Sequence, residues 1–483
     1  MNSIEREVER WGYGVHAVLF LCADRSMDII NDRSPVYLIT KNLDTTKDAS
    51  GELSTINQMV IRGSEEIGNA LNNGEIDGLI SISADPAGVN RSIFQSAKHA
   101  EIPIVASGAS SVAWMRKLGC QVIYATGTTG TSGEFRSINY LTALARYWGD
   151  NAKRNAWQNI RETIKGASFS FETWTLPYFL LAVILKGLSS YGMPVVADIF
   201  TALLNIAPLV ACLAVSLSLL REPRLGMAAA VTTGMVASFF HGGFIGGILA
   251  GYITAITFNT VLLLTAGRRM PGSAQGIIVY SATVVSIAFP FSVAGEALGS
   301  VTGSLAMLPE WSMKGNHLWI GFLIGVVFWP AMEWGLYHRV LLPFILLEIS
   351  VKGVSVLGAF DVLCLVVMAV GANITALLLG SNFKPAMMSL VENIVYGTNV
   401  EYVYTMCEGR KIVRCGLYFL CGLTGISILQ FGLQGVGYLP VFLLPFIVEN
   451  GQRLVLAMAA VAILSTLYFS VCSLLLRKKG VRS

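Results

Sequence analysis

Two hydrophobic patterns divide the chain. Up to about residue 166, short apolar runs of β type alternate with helical stretches, whereas 174–476 is mostly long apolar runs. In the first part the pattern predicts strands at Ala17–Cys22, Val36–Thr40, Gly78–Ser83, Pro103–Ser107 and Gln121–Ala125. It predicts helices over Ile56–Asn72, Asn90–His99, Ser110–Leu118 and Glu134–Tyr147. Strand–helix alternation implies a parallel sheet with helices on both faces, and such a domain fits within this length. In the second part, spans are predicted near Trp174–Ser190, Val195–Leu220, Gly226–Phe240, Phe244–Ala266, Gly276–Leu298 and Leu318–Tyr337. Further apolar segments lie near Leu341–Ile349, Val354–Leu379, Val413–Phe431, Tyr438–Val448 and Leu454–Leu476. A span needs about 20 apolar residues, and several of these are short or interrupted, so we expect about ten crossings plus re-entrant hairpins. The expected fold is a polytopic α-helical membrane protein with an N-terminal α/β parallel-sheet soluble domain. Its parts are a cytoplasmic α/β domain (1–148), a basic amphipathic linker (149–173), a transmembrane domain (174–476) and a basic tail (477–483).

Composition supports the division. Of the 483 residues, 54% are hydrophobic and only 13% charged, about half the charged share of a soluble domain. The net charge of +4 is accounted for by basic residues at membrane edges and gives no reason to expect nucleic acid. The eight cysteines show no metal-ligand spacing and no CxxC pair, so neither a metal nor a disulfide framework is expected. The opening MNSIEREVERWGYG is polar and mixed in charge, unlike a signal peptide, which favours a cytoplasmic N-terminus. Asn151–Lys165 is basic and amphipathic around Trp157, and reads either as an entry helix on the headgroups or as a solvated linker helix. The clusters Arg221 with Arg224, Arg268 with Arg269, and Arg477-Lys478-Lys479 with Arg482 fall on one side for an even number of crossings. That side is cytoplasmic by the excess of basic residues there.

Candidate chemistry in the first part lies after the strands. The loop Thr126-Gly127-Thr128-Thr129-Gly130-Thr131-Ser132-Gly133-Glu134 follows a strand and precedes a helix. Open α/β sheets bind ligands at the carboxyl ends of their strands, and helix N-termini attract anions. Gly127, Thr128, Thr129, Gly130, Thr131, Ser132 and Gly133 are thus a candidate site for a phosphate or a sugar, or simply a tight turn of small residues. No nucleophile–base pair stands out. His16 in the first strand reads as structural and His99 at a helix end as solvated.

In the second part, polar residues gather between Trp329 and Asn399: Glu333, His338, Arg339, Glu348, Asn373, Lys384, Glu392 and Asn399. Ionisable groups at membrane depth are costly and mark functional paths. Pro330, Pro343, Gly353, Gly371, Gly380, Pro385 and Gly397 interrupt the same region, and transporters place substrate sites at broken helices. Glu392 can accept two hydroxyl hydrogen bonds, His338 can donate and accept, and Asn373 and Asn399 add amide contacts. Other roles stay open: His338 with Arg339 as a membrane-edge pair, and Glu392 bound to Lys384 or to backbone. Asp198 and Glu296 read equally as pathway or interfacial groups. The glycines of Gly242–Gly251 read as sites of close helix packing.

These motifs resemble those of the membrane Enzyme IIC component of bacterial phosphotransferase-system sugar transporters, of the glucose/sucrose/β-glucoside type. The resemblance covers about residues 166–476. Gly335-Leu336-Tyr337-His338 through Pro343 is similar to the family's Gly-hydrophobic-His-His motif, Ala372-Asn373-Ile374 to its Ala-Asn-Ile motif, and Leu390–Asn399 to its Gly-Ile-Thr-Glu-Pro hairpin and the run that follows. Tyr337 stands in place of the first His, and Asn393 in place of the Pro after Glu. The resemblance implies sugar transport across the bacterial cytoplasmic membrane, with Glu392 and His338 contacting the sugar. Asn373, Asn399 and Arg339 are candidate neighbours. It further implies a homodimer, no cofactor, and phosphorylation dependent on separate IIB and IIA proteins. Cys22 follows a strand as a IIB cysteine would, but no anion-cradling loop follows it. A second reading makes the α/β domain a sensor, or an enzyme acting on a sugar or sugar phosphate, with the membrane part uncoupled from phosphorylation.

Overall fold

The computed structural model describes residues 2–23, 31–126, 132–150, 171–268, 270–314, 318–379, 383–395, 397, 400–407, 410–436 and 439–478. The chain forms two compact units. The first comprises residues 1–167, 219–229 and 253–286, and the second 168–218, 230–252 and 287–483.

The first unit opens with α1 (Asn2–Trp11), β1 (Val18–Cys22), β2 (Pro35–Lys41), β3 (Ala49–Glu52) and α2 (Leu53–Asn72). It continues through β4 (Leu79–Ile82), α3 (Arg91–His99), β5 (Ile104–Ser107), α4 (Ala109–Leu118), β6 (Val122–Thr126) and α5 (Gly133–Tyr147). The expected elements are present, and two were not foreseen. α1 forms within the polar opening, and β3 adds a short strand of small and polar residues. The single parallel sheet is corrected. β1, β2 and β3 form an antiparallel sheet, while β4, β5 and β6 form a separate parallel one. The reason lies in the connections: the links β1–β2 and β2–β3 carry no crossover helix among the described residues, whereas α3 and α4 supply the crossovers that parallel neighbours require.

Each sheet is covered where its side chains alternate. Val36 and Leu38 of β2 point inward against Ile56 and Val60 of α2. α2 buries Ile56, Val60, Gly63, Ile67 and Leu71, the spacing of one helical face. The parallel sheet is covered on one side by residues of α2, α3 and α4 around Phe94 and Met115. On the other side lie α1 and α5, around Tyr124, Tyr140 and Leu144.

The helical region runs through α6 (Phe171–Ser189), α7 (Pro194–Asn205), α8 (Ala207–Leu219), α9 (Pro223–Phe239), α10 (Gly243–Thr265), α11 (Gly272–Ala306), α12 (Leu308–Lys314) and α13 (Leu318–Glu333). A π turn (Tyr337–Leu341) leads into α14 (Leu342–Lys352). Next come α15 (Val356–Phe360), a π stretch (Asp361–Val367) and α16 (Met368–Leu378), which form one span. The chain ends with α17 (Phe383–Val395), α18 (Glu401–Cys407), α19 (Lys411–Phe431), α20 (Leu444–Ile447) and α21 (Gly451–Lys478).

Among the described residues, five helices are long and apolar enough to cross a membrane: α10, α11, α15–α16, α19 and α21. The number becomes six if α7 and α8, bent by 46°, make one span. The expectation of about ten is too high. Helices such as α13, with 16 residues, are apolar but shorter than a plain crossing needs. Lipid-type exposure accompanies the length. On α11, Val285, Phe289 and Val293 are 63%, 75% and 80% exposed at four-residue steps. A soluble domain does not present such a stripe to water. The protein is therefore a helical membrane protein with a small N-terminal α/β region.

Small residues set the closest packing in the second unit. A side chain at Gly321 of α13 or at Gly425 of α19 would run into the other glycine's carbonyl oxygen. Likewise Gly247 of α10 lies against the Pro208 backbone of α8, the close approach expected of Gly242–Gly251.

Candidate functional site

The two π segments organise the polar interior of the second unit. A π segment widens the helix and leaves carbonyls without their usual partner, and such segments recur at functional sites. In the π stretch the Cys364 carbonyl accepts from the Trp329 indole N–H at 2.7 Å and from the Cys421 thiol at 3.6 Å. Both donors come from neighbouring helices, α13 and α19, so packing compensates for the altered backbone.

Asp361 opens this stretch and is 1% exposed. Its carboxyl oxygens make no hydrogen bond of ordinary geometry among the described residues, and the Tyr337 hydroxyl is the polar group that faces them. Tyr337 comes from the other π segment and is itself buried. Twelve positions further, Asn373 on α16 is fully buried, with both amide atoms unpartnered among the described residues. In an unbroken α-helix twelve positions leave two side chains about a third of a turn apart. Both lie on the one span, Asp361 at the start of its π stretch and Asn373 on the α-helical part beyond it.

Other charged groups nearby are tied into structure. Glu348 accepts from the Ser355 hydroxyl at 2.6 Å and the Leu357 N–H at 2.9 Å, and pairs with Lys352 at 3.7 Å. Lys352 also reaches Glu310 at 3.0 Å. Ser355 in turn caps α15 through the Gly358 N–H, so this cluster fixes the α14–α15 corner. Glu333 accepts from the Tyr418 hydroxyl at 2.7 Å and lies 3.4 Å from the Arg414 guanidinium, joining the end of α13 to α19.

The sequence-predicted residues separate into groups. Asn373 is fully buried on α16. His338 and Arg339 sit in the π turn and are exposed, with the His338 ring edge-on to Tyr337 at 5.1 Å. Glu392 is half-buried on α17, which packs against α16, the helix of Asn373. Asn399 lies outside the described residues. Asp361 is the group that reading the sequence missed. Its signal is an acid inside the apolar run Val356–Leu378.

In the first unit, Gly127, Thr128, Thr129, Gly130 and Thr131 lie outside the described residues, as does the linker segment 151–165. Ser132 and Gly133 are described, and they start α5. The Ser132 hydroxyl accepts from the Phe135 N–H at 3.0 Å and donates to Glu222 at 2.6 Å. Glu222 also accepts from the Leu225 N–H, capping α9. At the other end of α5, Arg146 donates to the carbonyls of Leu263, Leu264 and Ala266 at the end of α10. Asn139 accepts from the Gly267 N–H at 2.9 Å. A cation on the last carbonyls of a helix satisfies both hydrogen bonding and the helix dipole. Burial, reinforced by Arg268, lowers the Arg146 pKa, which remains far above neutrality for a guanidinium. Phe135 and Ile138 of α5 pack with Phe258, Leu262 and Val279. The α/β region is thus fastened to helix ends at residues 219–229 and 253–286 within one unit.

Fold and site define the class: a multi-pass helical membrane protein whose α/β domain is built into the ends of its helices. No family model matches the chain, and no curated protein matches it.

Proposed function

We propose that the helical region carries a polar solute of the sugar class across a cytoplasmic membrane, in the manner of an Enzyme IIC permease. The observation that carries this reading is a π-containing span that buries both Asp361 and Asn373. Buried polar groups at membrane depth are expensive and persist where they line a path. Glu392, on the helix packed against that of Asn373, is the sugar's acceptor. His338 and Arg339 hold the entrance. Tyr337, in place of the family's first His, supports Asp361 instead of the sugar. Phosphorylation, where it occurs, comes from separate IIB and IIA proteins, and the permease works as a homodimer.

The first unit supports an orientation. Arg221, Arg224 and Arg268 belong to the same compact unit as the α/β domain, which supports a cytoplasmic side for all of them. A second reading is favoured by the Ser132–Glu222 and Arg146–α10 bonds. They make the α/β domain a sensor of a sugar or sugar phosphate that acts on the helix ends.

The test is calorimetric binding of a sugar panel to the full chain in detergent. Glu392→Gln and Asp361→Asn should each weaken binding by roughly tenfold or more, since each replaces a carboxyl oxygen by an amide NH2 that cannot accept a hydrogen bond, while the protein keeps its helical circular dichroism. Undiminished binding in both variants would overturn the assignment.

A further inference from the structure

The parallel sheet of the α/β domain ends in a second polar place, distinct from the threonine–glycine loop. β5 runs into Gly108, and α4 starts at once. The first α-type bond of that helix joins the Val112 N–H to the Gly108 carbonyl, so the N–H groups of Ala109, Ser110 and Ser111 have no partner in the preceding turn. Gly108 caps the helix and brings no side chain to satisfy them. α5, by contrast, is capped by its own Ser132.

Two buried hydroxyls lie on the same side of the sheet. Ser111 is in the first turn of α4, 3% exposed, and its Oγ has no hydrogen-bond partner among the described residues. Helical Cβ atoms tilt toward the N-terminus, so this hydroxyl lies over the uncapped turn. Ser81 of β4 is 4% exposed, and its Oγ is likewise unpartnered among the described residues. It pairs with Ala106, which packs with Val112 and Met115 of α4. That pairing puts Ser81 on the α4 side. Ser107, one position on, turns to the other face toward Tyr140.

Gly108 holds the gap open. Its φ is +101°, and a Cβ there would meet the Ser83 Oγ at 3.1 Å and the Ser111 Cβ at 3.4 Å. Ser83 and Ser111 therefore converge on the space that a glycine leaves. Ser83 and Ser110 are exposed, so the place opens to solvent. Buried hydroxyls without partners are rare in folded domains and call for an occupant.

We propose that the Gly108–Ser111 turn, with Ser81 and Ser83, binds the phosphate group of a small phosphorylated molecule. The free N–H groups of α4 and its dipole hold the oxyanion. The Ser111 hydroxyl donates to it from the floor and Ser83 from the rim. The place gives the sensor reading a ligand site, and its test needs no transport assay, so the failure of one is distinguishable from that of the other.

The experiment titrates inorganic phosphate into the full chain in detergent, by calorimetry and by thermal melting, with chloride at equal ionic strength as control. Wild type should bind and melt higher in phosphate. Ser111→Ala should weaken binding by roughly tenfold, as expected for loss of a bond to a charged group, with its phosphate-free melting temperature retained. Ser54→Ala, at an exposed serine in the first turn of α2, should bind phosphate as wild type does. Wild type that releases no heat up to millimolar phosphate would overturn the proposal, the gap then holding water only. Equal binding by Ser111→Ala would overturn it as well. Phosphate lost in Ser132→Ala and kept in Ser111→Ala would move the site to the threonine–glycine loop.

Discussion

Glu66 shows how one side chain can carry a local structure. On α2, it accepts from the N–H groups of Asp44 at 2.6 Å and Thr45 at 3.0 Å, and from the Thr45 hydroxyl. Burial pushes its pKa up, but these hydrogen bonds to the ionised form outweigh it, and the carboxyl titrates below its ordinary value. A depressed folded-state pKa gives stability that is present above the unfolded-state pKa and lost as pH falls through the folded one. Glu66→Gln should cost about 1 kcal/mol at neutral pH. The gap to wild type should close on the acid side of the usual carboxylate range. Denaturation at a series of pH values checks this, and a gap independent of pH would contradict it. At this scale the sequence was only partly legible. Glu392 and His338 are visible as polar residues in an apolar half. Asp361 looks like one acid in a long hydrophobic run, and its significance depends on burial and on Tyr337, 24 positions earlier.

Elements were more legible than their pairing. The alternation around β2 and the spacing of Ile56, Val60, Ile67 and Leu71 state their own secondary structure. The division into antiparallel and parallel sheets is a matter of connection, which periodicity does not encode. The π stretch was hidden for a related reason: Asp361–Val367 has an ordinary helical composition, and the donors to its Cys364 carbonyl, Trp329 and Cys421, come from other helices. Close packing was legible where glycines repeat, as in Gly242–Gly251, but the facing of Gly321 and Gly425 requires two helices far apart in sequence. That contact makes a prediction. Gly425→Leu should force α13 and α19 apart and cost about 1–3 kcal/mol, the usual penalty of overpacking. Gly303→Leu on α11, where a side chain meets open space, should be close to neutral. Melting of the two variants in detergent is the check, and equal melting would contradict the packing described.

At the scale of the whole molecule, the division between a soluble-type first part and an apolar second part is legible from hydropathy alone. The compact units do not follow that division. Residues 219–229 and 253–286 join the α/β domain, because Arg146, Asn139 and Ser132 bond to helix ends that a linear reading assigns elsewhere. The span count was the least legible feature, since apolar runs broken by glycine and proline read as crossings whether or not their helices are long enough.

The measurement that tests the central claim most directly is uptake of radiolabelled sugars into proteoliposomes of the full chain. It is done with and without phosphoenolpyruvate, the general phosphotransferase proteins and candidate IIB partners. The account predicts sugar accumulation or exchange that falls in Asp361→Asn and Glu392→Gln, with phosphorylated sugar appearing inside when a matching IIB is supplied. Exchange of unmodified sugar only, indifferent to the phosphoryl donors, would keep the permease and remove its coupling. No uptake or exchange of any sugar, from protein that remains folded in the bilayer, would contradict the account.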